Sequence, residues 1–202
     1  MIRIYGTPGS RAQRCLWMLE ELELPYENVP TDFRTAAQQP ELLRLNPNGK
    51  VPVLEDGKFV LWESMAINLY LAERYGSDPF WPGSLADRAH TFQWSFWVMA
   101  EIEPALVDFV MNRALLPEPQ RDEAVAAGAE KRMRKRLPVL DGALAGRDYL
   151  LGAEFTAADL NVVSVFSPAP ALTGMDLGDF SNLSRWLDAC TSRPAIARAF
   201  ED

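Results

Sequence analysis

Two short apolar runs, Val51 to Glu55 and Phe59 to Trp62, flank the dipeptide Asp56-Gly57, which reverses a chain within two residues. Runs joined that tightly pair as antiparallel neighbours, so the chain is committed to a sheet. The segments around the hairpin decide what kind. Ile2-Arg3-Ile4-Tyr5 alternates as a strand does and meets Gly6-Thr7-Pro8-Gly9-Ser10, a turn rich in glycine and proline. From Arg11 to about Leu24 the residues Ala12, Cys15, Leu16, Leu19 and Leu22 recur at three- and four-residue spacing until Pro25, which predicts a helix. Tyr26 to Val29 reads as a second strand, and Thr35 to Leu45 as a short helix stopped by Asn46-Pro47-Asn48-Gly49. After the hairpin, Ser64 opens a helix to Tyr75, with Ile67, Tyr70 and Leu71 on one face and Gly76 at its end. The predicted order over residues 1–76 is β-α-β-α-β-β-α.

Ser77-Asp78-Pro79-Phe80-Trp81-Pro82-Gly83 cannot continue a helix and is expected to link residues 1–76 to a second domain, 84–202. No strand alternation follows. Helices are expected at about 84–115, 119–145, 156–170 and 179–200, so the second domain reads as all-α. Thr156-Ala157-Ala158-Asp159 ahead of an apolar run has the form of a capping box with Asp in the usual Glu position. At 202 residues, 48% of them hydrophobic, the chain can bury the cores that two such domains need.

Charge and composition set aside several functions. The 20 Lys and Arg against 28 Asp and Glu leave a net charge of −8, which opposes nucleic-acid phosphates and anionic membranes as partners. The basic cluster Lys131, Arg132, Arg134, Lys135 and Arg136 lies in an Ala/Glu-rich helical stretch and reads as a solvated face. No apolar run is long enough for a membrane span, and Met1-Ile2-Arg3-Ile4-Tyr5 enters a strand instead of a signal sequence, so a cytoplasmic protein is expected. Cys15, Cys190 and His90 form no recognisable metal-ligand set. His90 falls in a Trp/Phe-rich helical pattern and is expected to be buried and structural, which leaves a serine nucleophile without a base.

Three groups carry chemistry. Glu63-Ser64 places a carboxylate and a hydroxyl beside the free N–H groups of a helix entrance, which suits an amino acid's α-carboxylate and ammonium; taken in isolation, a plain Ser N-cap behind a surface Glu is the commoner explanation. Val51-Pro52 follows a turn and enters a strand, a setting for a cis proline that would present the Val51 backbone to a short extended peptide; an ordinary trans proline is the alternative. Ser10 ends the first turn at a helix N-terminus, where its hydroxyl either donates to a bound thiolate or simply caps the helix.

Ile4-Tyr5-Gly6-Thr7-Pro8-Gly9-Ser10, Trp17-Met18-Leu19-Glu20-Glu21-Leu22, Asn46-Pro47-Asn48-Gly49-Lys50-Val51-Pro52-Val53-Leu54 and Glu63-Ser64-Met65-Ala66-Ile67 together resemble the cytosolic glutathione transferase family. Phe155-Thr156-Ala157-Ala158-Asp159-Leu160 is similar to that family's C-terminal capping motif. The resemblance implies a thioredoxin-like α/β N-terminal domain that binds glutathione as co-substrate, an all-α domain with a hydrophobic pocket for a small electrophile, no metal, and a homodimer. Residue by residue it implies that Val51 pairs with the cysteinyl backbone, that Pro52 is cis, and that Glu63 and Ser64 hold the γ-glutamyl end. Lys50, with Gln38 or Gln39, would reach the glycyl carboxylate. Ser10 is the favoured thiol-activating residue, with Tyr5 and Thr7 as alternatives. Trp94, Phe96, Trp97 and Met99 are candidates for the pocket.

A free thiol with a pKa near 8.5 is only a few per cent thiolate at neutral pH. Lowering it by about two units takes roughly 2.7 kcal/mol, within reach of one charge-assisted hydrogen bond and a helix dipole. The expected activity is transfer of glutathione to a hydrophobic electrophile, as in detoxification. A glutathione-dependent disulfide or peroxide reductase, and a non-catalytic interaction module, are the alternatives.

Overall fold

The computed structural model describes residues 1–200. They form two compact units, Met1–Trp81 joined by the tail from Arg193, and Pro82–Ser192. In the first unit β1 (Ile2–Tyr5), β2 (Tyr26–Val29), β3 (Val53–Asp56) and β4 (Phe59–Trp62) make a sheet of order β2-β1-β3-β4. β1 and β2 are parallel and need a crossover, which α1 (Ala12–Glu21) supplies; β3 is antiparallel to both β1 and β4. Ile2 and Ile4 are buried on one face, while Arg3 and Tyr5 turn to the other. With α2 (Pro40–Leu45) and α3 (Ser64–Tyr75) this is a thioredoxin-like domain, and α1 and α3 pack against each other.

The hairpin turns one residue later than the sequence suggests. Asp56 pairs with Phe59, so Gly57 and Lys58 are the loop, and Gly57 takes the positive φ of 64° that a glycine at the first loop position allows. Asp56 stays in the strand and accepts hydrogen bonds from Tyr70 at 2.8 Å and Tyr75 at 2.5 Å, with Arg74 at 3.2 Å. Burial pushes its carboxyl up, but the two phenols and Arg74 outweigh burial and hold it below the ordinary range. A depressed carboxylate contributes stability that is complete above its unfolded pKa of about 3.9 and is lost as pH falls through the folded value. Asp56→Asn is expected to flatten the acid limb of urea unfolding below about pH 4 and to cost about 1 kcal/mol at neutral pH.

The second unit contains α4 (Leu85–Trp97), α5 (Glu103–Val110), α6 (Glu123–Arg134), α7 (Leu137–Ala143), α8 (Ala157–Phe166), α9 (Pro168–Thr173) and α10 (Ser181–Thr191). Where the sequence suggested single long helices, prolines divide them. Gln39 before Pro40 is extended, as proline crowds the residue before it, and Pro138, Pro168 and Pro194 each stand in the first turn of a new helix, where the missing N–H leaves no bond unmade. Pro104 is accommodated differently: the helical path from α4 to α5 widens into a π-helical turn over Val98–Ile102. The capping box at Thr156 and Asp159 is present.

α11 (Pro194–Phe200) packs on α1, so this tail, expected within 84–202, groups with the first unit. Ala195 and Ala199 are buried, and Arg193 donates to both carboxylate oxygens of Glu21 at 2.8 and 2.7 Å. On α4 the buried stripe is Thr91, Trp94 and Ser95. This leaves His90 exposed, with Nδ1 3.1 Å from Gln93 Oε1, which corrects the expectation of a buried histidine. Among the described residues no helix is long and apolar enough to cross a membrane.

Candidate active site

The turn between β1 and α1 is closed by Ser10. Its N–H donates to the Thr7 carbonyl at 3.1 Å, its hydroxyl donates to the same carbonyl at 2.7 Å, and its Oγ accepts from the Ala12 N–H at 3.2 Å. Gln13 Oε1 accepts from the Gly9 N–H at 3.2 Å and steadies the turn. In this conformation Ser10 Oγ engages the first N–H of α1, one residue ahead of the N-cap Arg11. Rotation of the hydroxyl proton away from Thr7 would present it to an anion above the helix end while Oγ keeps its contact with Ala12.

Tyr5 lies elsewhere. It packs on the opposite face of the sheet from Ile4, against the cluster of Ala36, Leu42, Val51 and Val53, and its phenol donates to Glu55. Burial first, then Glu55, pushes that phenol up to about 12. Thr7 is half-buried, and its carbonyl serves Ser10.

At the entrance of α3, Glu63 is exposed and Ser64 buried. Glu63 has φ 76° and ψ 117°, a left-handed backbone for a non-glycine residue, of the kind that costs about 1–3 kcal/mol and gathers at ligand sites. Three contacts tie this entrance to α1. Arg14 Nη1 donates to Ser64 Oγ at 3.3 Å, the Cys15 thiol lies 3.7 Å from the Ser64 carbonyl, and Asn68 Nδ2 donates to the Arg14 carbonyl at 3.3 Å. Cys15 is fully buried and burial pushes its thiol well above the ordinary range, so it offers no thiolate.

Sequence reading passed over the buried partnership of Arg14 with Ser64. Its signal was a charged residue inside Arg14–Leu19, a stretch buried at every position, where a guanidinium needs a polar partner.

The Val51-Pro52 peptide is cis. The β1–β3 ladder ends at the pair Tyr5 and Val53, so the Val51 backbone lies beyond it. Asn46 holds the preceding loop, donating to the Lys50 carbonyl at 2.7 Å and accepting from the Asn48 N–H at 3.0 Å. Gly49 has φ 61°, and a Cβ there would stand 2.7 Å from Ala37 Cα, so the loop rests on the 3-10 turn Ala36–Gln38. Lys50 and Gln38 are exposed and Gln39 is half-buried. Gly49→Ala is expected to cost roughly 2–4 kcal/mol, from the positive φ and the clash together, read as a lower urea midpoint at unchanged m.

The aromatic candidates separate. Trp94 is buried and meets Trp97 edge-on with ring centres 5.2 Å apart; Trp97 and Met99 are half-buried and Phe96 is exposed. In the first unit a cleft of about 620 Å³ opens beside the turn, lined by Thr7, Pro8, Leu16, Pro25, Tyr26 and Pro30 among others. No group of three or more His, Cys, Asp or Glu side chains among the described residues could hold a metal ion.

Known families match both units. The glutathione S-transferase N-terminal domain matches residues 1–73 and the glutathione S-transferase C-terminal domain matches residues 85–194. The chain belongs to the glutathione S-transferase family. Within that family it is 33% identical over 202 residues to glutathione S-transferase GstB of Escherichia coli K12, covering 98% of this chain and 97% of that one. Its structure is similar to the theta class glutathione S-transferase of Xanthomonas axonopodis pv. citri with glutathione bound, at TM-score 0.90 and 32% identity, covering 100% of this chain and 97% of the other. It is also similar to Ure2p5 of Phanerochaete chrysosporium cocrystallized with 1-(S-glutathionyl)-2,4-dinitrobenzene, at TM-score 0.86 and 28% identity, covering 98% and 92%.

Proposed function

We propose that this chain is a glutathione S-transferase that activates the glutathione thiol at the N-terminus of α1 and anchors the peptide at the N-terminus of α3. The observation that carries this reading is the fastening of those two helix entrances through Arg14 and Ser64. Glu63 and Ser64 take the γ-glutamyl ammonium and carboxylate. The Val51 backbone pairs with the cysteinyl residue beside cis-Pro52, and Lys50, with Gln38 or Gln39, meets the glycyl carboxylate. Ser10 donates to the thiolate, which attacks the electrophile as the C–S bond forms and the leaving group departs. Thr7 and Pro8, in the same turn as Ser10, line a cleft that also carries Leu16, Glu20, Pro25 and Asn28. For the acceptor pocket of the helical unit, Trp94, Trp97 and Met99 are the candidates. On the same reading the chain acts as a cytoplasmic homodimer in detoxification.

The test is calorimetric titration with glutathione followed by an assay with 1-chloro-2,4-dinitrobenzene. Saturable binding at or below millimolar concentration and release of chloride with conjugate formation are expected. Turnover of a glutathione mixed disulfide with negligible conjugation would replace transferase by reductase, and absence of binding at millimolar glutathione would remove both.

A further inference from the structure

Arg14 is an arginine inside a helix core, 8% exposed, and its Nη1 donates to Ser64 Oγ. A guanidinium has only donors. The Ser64 oxygen therefore accepts from Arg14, and the Ser64 proton is directed away from Arg14 toward some other acceptor. Ser64 is the first residue of α3, where backbone N–H groups have no partner one turn earlier and the helix dipole favours an anion. The backbones that carry the two side chains are tied together as well: Asn68 on α3 donates to the Arg14 carbonyl, and the Cys15 thiol lies 3.7 Å from the Ser64 carbonyl.

We infer that Arg14 is a positioning residue for the γ-glutamyl α-carboxylate of glutathione, acting through Ser64, whose hydroxyl it orients and polarises so that the proton is delivered to the carboxylate. The inference rests on the proposed function and adds to it a residue that does not touch the ligand. A hydroxyl that accepts from a cation is a stronger donor than one free to rotate, so discrimination for the carboxylate should depend on Arg14.

The experiment compares glutathione with its analogue lacking the α-carboxylate, 4-aminobutanoyl-cysteinyl-glycine. Both are titrated into wild type, Arg14→Met, Arg14→Lys, Ser64→Ala and the double variant Arg14→Met/Ser64→Ala. Arg14→Met is expected to weaken glutathione binding about ten-fold and analogue binding less than about two-fold. In the Ser64→Ala background the same change should matter less than about three-fold, since the intermediary is gone. Arg14→Lys, which keeps a charged donor, should restore part of the loss and serves as the working variant if Arg14→Met does not fold. Equal losses for the two peptides, or full additivity with Ser64→Ala, would overturn the inference while leaving the proposed function in place. Failure of wild type to bind glutathione would overturn the proposed function and this inference with it.

Discussion

Ser10→Ala is expected to raise the pKa of enzyme-bound glutathione by about two units, toward the 8.5 of a free thiol, and to lower kcat/KM for conjugation about 50-fold near pH 6.5. The magnitude follows from ionisation alone. At that pH a thiol of pKa near 6.5 is about half thiolate, whereas one of pKa near 8.5 is about one per cent thiolate. The deficit should therefore shrink as pH rises and nearly vanish above about pH 9, a profile that a misplaced substrate would not give. Tyr5→Phe is the control. Its phenol is engaged by Glu55, pushed up to about 12, and placed on the face that carries Ala36 and Leu42. Its loss should change kcat/KM by less than about three-fold. Thr7→Val tests the third hydroxyl in the same series. A raised thiol pKa in Tyr5→Phe or Thr7→Val, with none in Ser10→Ala, would move the assignment to that residue.

Asp159→Ala is expected to cost about 4 kcal/mol, a large part of the 5–15 kcal/mol by which domains are usually stable, and to reduce soluble yield sharply. The carboxylate is fully buried and gathers four donors. The Leu150 N–H lies at 2.8 Å, the Thr156 N–H at 3.0 Å, the Thr156 hydroxyl at 2.8 Å and the Trp186 indole N–H at 2.9 Å. Burial pushes this carboxyl up, and the donors pull against burial. Alanine would strand those donors in the core and also remove the cap of α8. Asp159→Asn keeps one acceptor oxygen but turns an N–H toward a donor, so about half of the loss is expected. Trp186→Phe removes one donor and leaves the other three satisfied, and should cost less than about 2 kcal/mol. Urea unfolding followed by far-ultraviolet circular dichroism ranks the three; a loss in Asp159→Ala no larger than in Trp186→Phe would show that the carboxylate does not hold this junction.

The features legible in the sequence are those created by neighbours along the chain. The β-α-β-α-β-β-α order, the hairpin, the helix from Ser64 to Tyr75 and the box at Thr156 follow from turn chemistry, apolar period and capping, all of which act within a few residues. The placing of Ser10, Val51-Pro52 and Glu63-Ser64 at element ends was legible for the same reason. Helix breaks before Pro40, Pro138, Pro168 and Pro194 obey the same local rule, although apolar periodicity runs through them and hides them.

Other features depend on residues that meet only after elements cross. Arg14 reaches Ser64 across 50 positions, Trp186 reaches Asp159 across 27, and Arg193 returns to Glu21 across 172. Tyr5 and Ser10 are both hydroxyls beside one turn, yet the pleat of β1 sends the first to Glu55 while the turn leaves the second at the end of α1. His90 was expected inside because aromatic residues surround it, and the stripe of α4 that packs inward leaves it out. The sequence by itself determined which segments are strands, helices and turns, and so where along the chain the candidate ligand-binding groups stand. Tertiary structure decided which of them are aimed and which are already engaged, because hydrogen-bond partners distant in sequence are chosen by how helices and sheet pack.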